Sequence, residues 1–203
     1  MQARPCGERA VLLEYDDLDA AMAAYAQVSA APPEGVVDLV PAARTLLVHL
    51  DPALTDGPTL ARALATLDTA PAPEDAGGHV EVPVVYDGED LEDVAGLTGL
   101  SPDEVVAAHT GQTWTVAFCG FAPGFGYLVG EDDRLRVSRR TTPRTRVPTG
   151  SVALAGEFSG VYPRESPGGW QLIGRTDLTL FDLDRTPPAL LTPGTRVTFV
   201  AAR

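Results

Sequence analysis

The sequence predicts an α+β fold in which a small unit of helices and strands precedes a compact β-barrel. Two observations indicate this order. Helical and strand-like patterns alternate over roughly the first 70 residues, whereas short β-rich runs separated by glycine and proline dominate the second half. Residues 69–78, rich in proline, alanine and glycine, separate the two patterns and are typical of a linker. We therefore place the domains at residues 1–78 and 79–203.

The first unit is predicted to contain strands and helices in the order β-α-β-β-α. Its strands are the apolar or β-branched runs at residues 10–15, 36–40 and 45–50. Its helices are marked by apolar residues at helical spacing, namely Leu18, Met22 and Tyr25, then Leu60, Leu64 and Leu67. One more strand would complete a split β-α-β sandwich. Residues 79–86 could supply that strand or could open the second unit.

The second unit is predicted to begin with two short helices and to continue as a series of strands. Residues 91–97 form the first helix, and Ser101 opens the next, with Pro102 in its first turn and Glu104 completing a capping box. The β-rich runs are residues 113–119, 151–155, 171–173, 178–183 and 196–200. Half of the twenty glycines lie between Gly120 and Gly174, which is typical of a barrel with long ordered loops.

Composition and charge argue against several classes of function. The net charge of −13 disfavours nucleic acid as a partner, because phosphate binding needs a basic surface. No apolar run approaches the roughly 18 residues of a membrane span, and no secretory signal is visible at the N-terminus. Two distant cysteines offer no disulfide framework, so we expect a cytoplasmic protein. All fifteen basic residues are arginine, which excludes biotin attachment and other lysine chemistry within this chain.

One segment reverses the acidic balance. Eight arginines lie between Arg134 and Arg175 and are opposed only by Glu157 and Glu165, so this segment carries +6 and the remainder −19. A solvated basic surface or an anion site would account for it, since arginine pairs with carboxylate or phosphate through two nitrogens. The three histidines form no metal-binding pair, and we interpret His109 as a packed or surface residue rather than a catalytic base.

Two segments concentrate the residues of a candidate site. FCGFAPGFGYLVG, residues 118–130, interleaves glycines with aromatic rings and could wall a pocket or form a structural corner. PRTRVPTGSVALAGEFSGVYPRESPGGWQLIGRT, residues 143–176, places arginine, tyrosine and serine among glycines and prolines in what is predicted to be an ordered loop system. Trp114 is expected in the core, whereas Trp170 could lie in the core or line a pocket.

These segments, together with residues 43–52 and 80–111, resemble the family of the B-type subunit of 5-oxoprolinase, which includes a sporulation-kinase inhibitor and allophanate hydrolase subunit 1. The resemblance implies an N-terminal ferredoxin-like α/β sandwich followed by a C-terminal cyclophilin-like β-barrel. It also implies two protein partners, a homologous C-type subunit and a separate A-type subunit, with which the chain opens the cyclic amide 5-oxoproline to L-glutamate. The expected chemistry is ATP-dependent phosphorylation of the lactam carbonyl oxygen, followed by hydrolysis. Such a chain is expected to be inactive alone, and ATP could bind the assembled complex instead.

Carried over by position, the resemblance implies site residues in both segments. The scattered histidines predict no metal site. The catalytic candidates are Arg144, Arg175, Tyr127, Tyr162 and Ser166. The substrate-binding candidates are Gly120, Phe121, Pro123, Gly124, Pro148, Ser151, Pro163, Pro167, Gly168, Gly169 and Trp170. We expect Arg144 and Arg175 to contact anions, and the two tyrosines to hydrogen-bond an amide or a carboxylate.

The chain departs from the family pattern at one pair of positions. Phe158 and Ser159 stand where members commonly carry Gln-Thr. If the missing amide contacts substrate, the substrate differs, whereas little changes if the amide only braces a loop. Two other functions therefore stay open: a regulatory inhibitor that binds a sensor histidine kinase, and a carboxyltransferase component acting on urea or a related amide.

Overall fold

The mixed α+β composition predicted from the sequence is confirmed. The computed structural model describes residues 1–66 and 78–202. The chain divides into two units, Met1–Glu74 and Asp75–Arg203. The predicted linker, residues 69–78, lies outside the described residues except for Gly78. Among the residues described, no helix has both the length and the apolar character needed to cross a membrane.

The first unit contains a four-stranded antiparallel sheet and two helices. Its elements are β1 (Gln2–Pro5), β2 (Ala10–Glu14), α1 (Leu18–Ala30), β3 (Val36–Ala42), β4 (Thr45–Leu50) and α2 (Gly57–Leu64). The sheet order is β1-β2-β4-β3, so α1 connects two strands that have β4 between them, a split β-α-β arrangement. Asp17 and Asp56 cap the two helices by accepting from the amides of Ala20 and Thr59. Leu13, Leu46 and Leu60 are fully buried in its core.

The fourth strand of this sheet is β1, which the sequence pattern did not reveal. It pairs with β2 and occupies an edge, and all four of its residues are exposed. An exposed edge strand lacks the apolar alternation by which strands are recognised. Residues 79–86, the other candidate for this strand, contribute instead to the second unit. The order from β2 to α2 agrees with the prediction, while a complete ferredoxin-like sandwich is not confirmed.

The second unit is built around a seven-stranded sheet. Its elements are β5 (His79–Val84), α3 (Leu91–Thr98), α4 (Pro102–Thr110), β6 (Trp114–Cys119), β7 (Gly126–Gly130), β8 (Arg144–Val147), β9 (Ser151–Ala155), β10 (Phe158–Val161), β11 (Ser166–Gly168), β12 (Gln171–Arg175) and β13 (Arg196–Ala201). The sheet order is β12-β9-β10-β7-β6-β13-β5, and β8 pairs with β11 separately.

Two backbone hydrogen bonds bring the edges of this sheet together. Val85, directly after β5, exchanges N–H···O bonds of 2.9 Å each way with Arg175 at the end of β12. Because β5 and β12 are the two edge strands, this bridge makes the sheet barrel-like and nearly closed. The arrangement is compatible with the cyclophilin-like barrel implied by the resemblance. Trp114, as expected, lies in the core and is 2% exposed.

Helix signals in this unit were accurate, whereas one strand prediction was wrong. The Ser101–Glu104 capping box is present, and Gly111 follows the end of α4. Residues 178–183 form no strand, although Phe181 makes an isolated bridge to Ala189. Two of their backbone carbonyls, those of Thr179 and Leu180, accept hydrogen bonds from the side chain of Arg185. The strands β7, β10 and β11 were not predicted, because glycine and proline weaken the strand pattern. The strand β8 was also missed, since its sequence RTRV contains a single apolar residue.

Candidate functional site

The turn after β6 holds Phe121 on a strained backbone. The Ala122 amide donates to the Gly120 carbonyl at 2.7 Å, and Phe121 between them has a φ of +66°. Such a γ-turn with a positive φ is rare, and a non-glycine residue in it stores of order 1–3 kcal/mol. Gly124 follows with a φ of +82°, and a Cβ there would lie 2.7 Å from the Cβ of Phe181. The turn leaves the Phe121 ring 57% exposed at the surface.

An aromatic cluster joins the two sequence segments. We define it as Phe118, Phe121, Phe125, Tyr127, Phe158, Tyr162 and Trp170. The ring of Tyr127 stacks on Phe118 with centroids 4.4 Å apart and meets Trp170 edge-on at 5.5 Å. The Phe121 ring meets Tyr162 edge-on at 6.0 Å. The structure thus brings together four predicted site residues, three of them buried or half-buried, with Phe121 at the surface.

Two glycines make this packing possible. A Cβ at Gly160 would lie 3.0 Å from the rings of both Phe125 and Trp170. A Cβ at Gly168 would overlap the hydroxyl oxygen of Tyr162. Glycine therefore allows aromatic side chains to approach the strands at these positions more closely than any other residue would. Gly168 contributes to the site because its lack of a side chain leaves room for the Tyr162 hydroxyl.

Arg139 brings positive charge to the aromatic cluster. The carbon at the centre of its guanidinium lies 6.0 Å from the centroid of Trp170, within cation–π range. Burial raises the pKa of both Tyr127 and Tyr162, and the charge of Arg139 opposes that rise in each. Both hydroxyls are therefore protonated at neutral pH and can donate hydrogen bonds. Arg139 was not among the predicted site residues, and its only signal was its place in the arginine-rich segment.

Arg144 is engaged by carboxylates of the chain itself. Its Nη1 donates to Asp90 at 2.8 Å, and its Nη2 donates to Asp90 at 2.8 Å and to Glu89 at 3.0 Å. Arg140 donates to the same Asp90 carboxylate. Burial pushes the pKa of Asp90 upward, but bonds from Arg144 and from the Leu172 amide outweigh it, and the net pKa is lowered. Asp90, a residue that sequence reasoning missed, therefore stays ionised and holds two arginines.

The side chain of Arg175 contacts Asp87 and not the aromatic cluster. Its side chain is 56% exposed and its Nε donates to Asp87 at 3.0 Å. Exposed ion pairs of this kind contribute about 0–1 kcal/mol to stability. The backbone of Arg175 has the clearer role, since it makes the bridge to Val85 between the edge strands. Its guanidinium remains a surface group that a partner or anion could engage.

Some of the other predicted residues are buried and support the backbone, whereas the rest lie at the surface. Ser151 is buried, and its hydroxyl donates to the Pro148 carbonyl at 2.8 Å. Ser166 lies on β11, and its buried hydroxyl has no hydrogen-bond partner among the described residues. The prolines are mostly at the surface: Pro123, Pro148 and Pro167 are exposed, and Pro163 is half-buried. Gly169 is also half-buried, and a Cβ added there would lie 3.7 Å from the ring of Pro143, an ordinary contact distance.

A buried hydrogen-bonded chain lies behind β10. His109 Nδ1 is 2.7 Å from the Tyr86 hydroxyl, and Nε2 is 2.9 Å from the Ser159 hydroxyl. Burial lowers the pKa of His109 to about 3. The ring is thus neutral and packed in the core, out of reach of a ligand at the surface. Ser159, one of the two departures from the family pattern, retains a hydroxyl that this chain uses.

The second departure, Phe158, belongs to the aromatic cluster. Its ring meets Phe118 edge-on at 5.6 Å and Tyr127 edge-on at 5.5 Å. It therefore packs against a predicted site residue instead of offering an amide. Among the residues described, no three His, Cys, Asp or Glu side chains come together as a metal site would require.

Curated relatives share close to half of their aligned residues with this chain. The B-type subunit of the Bacillus subtilis 5-oxoprolinase is 50% identical over 124 residues, which is 60% of this chain and 52% of the relative. The protein of the same name from Haemophilus influenzae is 46% identical over 127 residues, 61% of this chain and 60% of the relative. The chain thus spans somewhat more than half the length of these relatives.

Solved structures share the fold over nearly the whole chain. The crystal structure of TTHA0988 matches with a TM-score of 0.78 and 38% identity, covering 97% of this chain and 40% of that one. A conserved uncharacterized protein of Pyrococcus horikoshii, PH0987, matches with a TM-score of 0.59 and 37% identity, covering 99% and 97% of the two chains. The urea carboxylase of Kluyveromyces lactis shares the fold at 21% identity and a TM-score of 0.74, over 99% of this chain and 22% of that enzyme.

The family assignment rests on a family model that matches most of the chain. Residues 1–191 match the family described as carboxyltransferase domain, subdomain C and D. That match includes both segments of the aromatic cluster, the Asp90 ion pairs and most of the seven-stranded sheet. Three curated relatives at 46–50% identity are B-type subunits of 5-oxoprolinase by name. The chain belongs to the carboxyltransferase domain family, subdomains C and D.

Proposed function

We propose that this chain is the B-type subunit of an ATP-dependent 5-oxoprolinase, which opens 5-oxoproline to L-glutamate together with C-type and A-type subunits. The observation that carries the proposal is the identity of 46–50% to three proteins named as B-type subunits of 5-oxoprolinase. The chain aligns with 52–60% of the length of these relatives. Because the relatives are named as subunits, we assign the complete activity to an assembly and not to this chain alone.

The chemistry of the candidate site supports a small cyclic amide as substrate. The aromatic cluster offers the ring of Phe121, which is 57% exposed, as an apolar surface against which a five-membered ring can pack. Arg139, above Trp170, offers a guanidinium for a carboxylate, and guanidinium pairs with carboxylate through two nitrogens. Tyr127, which is half-buried and protonated, can donate to an amide carbonyl. We assign Arg139 and Tyr127 to substrate binding and positioning.

The residues of this chain do not fit a triphosphate. The sequence contains no lysine and no glycine-rich phosphate loop ending in Lys-Ser or Lys-Thr. Arg140 and Arg144 are paired with Asp90, and Arg175 is paired with Asp87. We therefore propose that ATP binds the assembled complex through the partner subunits. Because the proposed reaction consumes ATP, we assign the complex to the cytoplasm.

The same reasoning assigns the catalytic base to a partner. His109 is buried and has a pKa of about 3, so it does not exchange protons with a ligand at neutral pH. Asp90 is 1% exposed, and its carboxylate is occupied by two arginines. Of the seven residues of the aromatic cluster only Tyr127 and Tyr162 titrate, and burial raises the pKa of both, so neither acts as a base at neutral pH. A chain with a binding surface and no base is expected to be inactive until the assembly forms.

Reconstitution tests this proposal. Glutamate release from 5-oxoproline and ATP is measured with this chain alone, with the C-type partner added, and with both the C-type and A-type partners added. We expect release only in the full mixture, and a shared elution peak for this chain and its C-type partner. Release by the two partners without this chain would contradict the proposal, as would no release from a mixture in which all three are folded and associated.

A carboxyltransferase acting on urea is the second candidate, favoured by the shared fold with the Kluyveromyces lactis urea carboxylase. That likeness lies at 21% identity, where similarity supports the fold and not the reaction. The absence of lysine means that any biotin would be carried by another chain. Adding urea and a biotin carboxylase to the same mixtures separates the two candidates, since each predicts turnover of one amide only.

A further inference from the structure

One edge of the sheet in the first unit is a long strand whose exposed side chains are mostly apolar. Among the described residues, β3 has a neighbouring strand on one side only, which is β4. Val37 and Val40 are 65% and 41% exposed, and Asp38 is the only charged residue of the strand. An exposed apolar edge of this kind is a template on which a further strand can add, including the same edge of a second copy.

The alternation of hydrogen bonds in this sheet determines which backbone groups of β3 face outward. The Leu50 amide donates at 2.9 Å to the carbonyl of Arg9, which precedes β2, so the even-numbered residues of β4 direct their backbone groups towards β2. The odd-numbered residues of β4 face β3, where they pair with even-numbered residues. Leu39 and Pro41 therefore direct their backbone groups away from the sheet, at the free edge.

Neither of these outward positions offers a free donor to another strand. The Leu39 N–H donates to Oδ1 of the neighbouring Asp38 at 2.9 Å. Pro41 has no N–H, and this costs the sheet no bond, because Leu46 on the opposite strand is directed towards β2. At the start of β3, a bulge between Val36 and Asp38 interrupts the regular spacing of the strand. The edge is thus blocked along its length.

We propose that Asp38 and Pro41 close the β3 edge to strand addition, and so prevent two copies of this chain from joining their first sheets. Two such edges related by a twofold axis would meet antiparallel, with the same residue at the centre of both. In a ladder centred on Leu39, the central pair would need the two N–H groups that the Asp38 carboxylates occupy. Each flanking pair would include a Pro41 without a donor. The closed edge does not depend on the enzymatic role proposed above.

The opposite edge of the same sheet has less need of such closure. Its strand, β1, is four residues long and carries the charged Arg4. The Cys6 amide donates to the Ala10 carbonyl, so Ala3 and Pro5 face outward, and Pro5 again has no N–H. Short edges with charge and proline rarely accept a further strand. The longer and more apolar β3 is therefore the edge at which specific residues have to prevent addition.

The test measures self-association of the full chain by sedimentation velocity at rising concentration. Asp38→Ala frees the Leu39 N–H, and Pro41→Val adds a donor while keeping an apolar side chain at a buried position. We expect the double variant to associate, with an apparent mass at least about twofold that of the wild type. The matched control, Asp19→Ala with Pro32→Val, removes the same residue types from exposed positions outside the edge and should sediment as the wild type.

Asp38→Asn separates capture of the amide from charge repulsion. Asparagine loses the charge but keeps a side-chain oxygen that can accept from the Leu39 N–H. We therefore expect Asp38→Asn to keep the wild-type mass, and Asp38→Ala alone to associate. Association of Asp38→Asn as strong as that of Asp38→Ala would overturn the role given to the Leu39 amide.

The closed edge is also overturned if the double variant folds and sediments as the wild type. Circular dichroism and thermal melts establish that each variant is folded. Because Asp38 is exposed, Asp38→Ala should fold even where Pro41→Val disturbs the core. Failure of that single variant to associate would count equally against closure by Asp38. Slower hydrogen exchange of residues 37–41 at high concentration, seen in the associating variants only, would place the new contact at this edge.

Discussion

The carboxylate of Asp90 receives both terminal nitrogens of Arg144, each at 2.8 Å, although the Asp90 side chain is only 1% exposed. The same carboxylate accepts from Arg140 and from the backbone amide of Leu172 at 2.7 Å. Asp90 directly precedes α3, Arg144 begins β8, and Leu172 lies in β12. One buried charge therefore ties together the start of α3, β8 and β12.

Removal of that charge should destabilise the second unit. Asp90→Asn keeps the shape but leaves two partly buried arginines without a counter-charge, and breaking such a pair costs about 3 kcal/mol. Urea denaturation measures the loss. Asp132→Asn is the control, because its partner Arg134 is exposed and the expected change is under about 1 kcal/mol. Equal effects of the two variants would contradict the structural role assigned to Asp90.

The same carboxylate predicts part of the acid sensitivity. Because the folded pKa of Asp90 is lowered, its contribution to stability is complete above the unfolded value and is lost as pH falls through the folded value. Stability should therefore decline below about pH 4, where an unfolded aspartate begins to protonate. Urea denaturation at a series of pH values measures this. In Asp90→Asn the free energy of unfolding should fall less steeply with decreasing pH than in the wild type. A curve parallel to that of the wild type would contradict an ionised Asp90 in the folded protein.

His109 predicts a separate pH dependence at higher pH. Its pKa is about 3 in the folded protein, whereas an unfolded histidine titrates near about 6.5. The unfolded chain then binds one more proton than the folded chain between these values, so stability falls with decreasing pH by up to about 1.4 kcal/mol per pH unit. His109→Gln should flatten this slope between pH 6 and pH 4 in denaturation experiments, by the same principle. His79→Gln, at an exposed histidine, should follow the wild-type curve.

Gly168 and Gly96 provide a matched pair of substitutions. Gly168→Ala would place a Cβ against the Tyr162 hydroxyl oxygen, and the forced shift should cost about 1–3 kcal/mol and reduce turnover of the complex. Gly96→Ala lies within α3 with open space at its Cβ, so it should stabilise by about 0.5–1 kcal/mol. Thermal melts of both variants measure the change in stability, and glutamate release by the assembled complex measures turnover. Intact turnover in Gly168→Ala would show that the position of Tyr162 is not critical.

Local signals in the sequence were sufficient for the helices. Caps, prolines and apolar spacing predicted α1 to α4, because these features act within a few residues of each other. The strands β7 and β10 were missed, since Gly126, Gly130 and Gly160 remove the apolar alternation. Gly160 admits the rings of Phe125 and Trp170, and Gly130 admits the side chains of Gln112 and Trp114. These contacts are a property of the packed barrel and not of the local sequence.

The candidate site was predictable as segments but not as contacts. Phe121, Tyr127, Tyr162 and Trp170 were named from two segments, and the structure places their rings in one cluster. Arg144 was expected to contact a ligand anion, yet it contacts Asp90, which lies 54 residues earlier. No local pattern links an aspartate before α3 with an arginine on β8. Arg139 was likewise missed, because its position over Trp170 brings together residues that are distant in sequence.

The most direct test of the central proposal is ADP formation by this chain assembled with its C-type and A-type partners, measured with 5-oxoproline, with urea, and with neither. We predict that 5-oxoproline stimulates ADP formation and yields glutamate in equal amount, whereas urea leaves the rate at its basal level. Stimulation by urea in the presence of a biotin carboxylase, with no response to 5-oxoproline, would contradict the account and favour the carboxyltransferase. No response to either amide in a folded, associated complex would also contradict it.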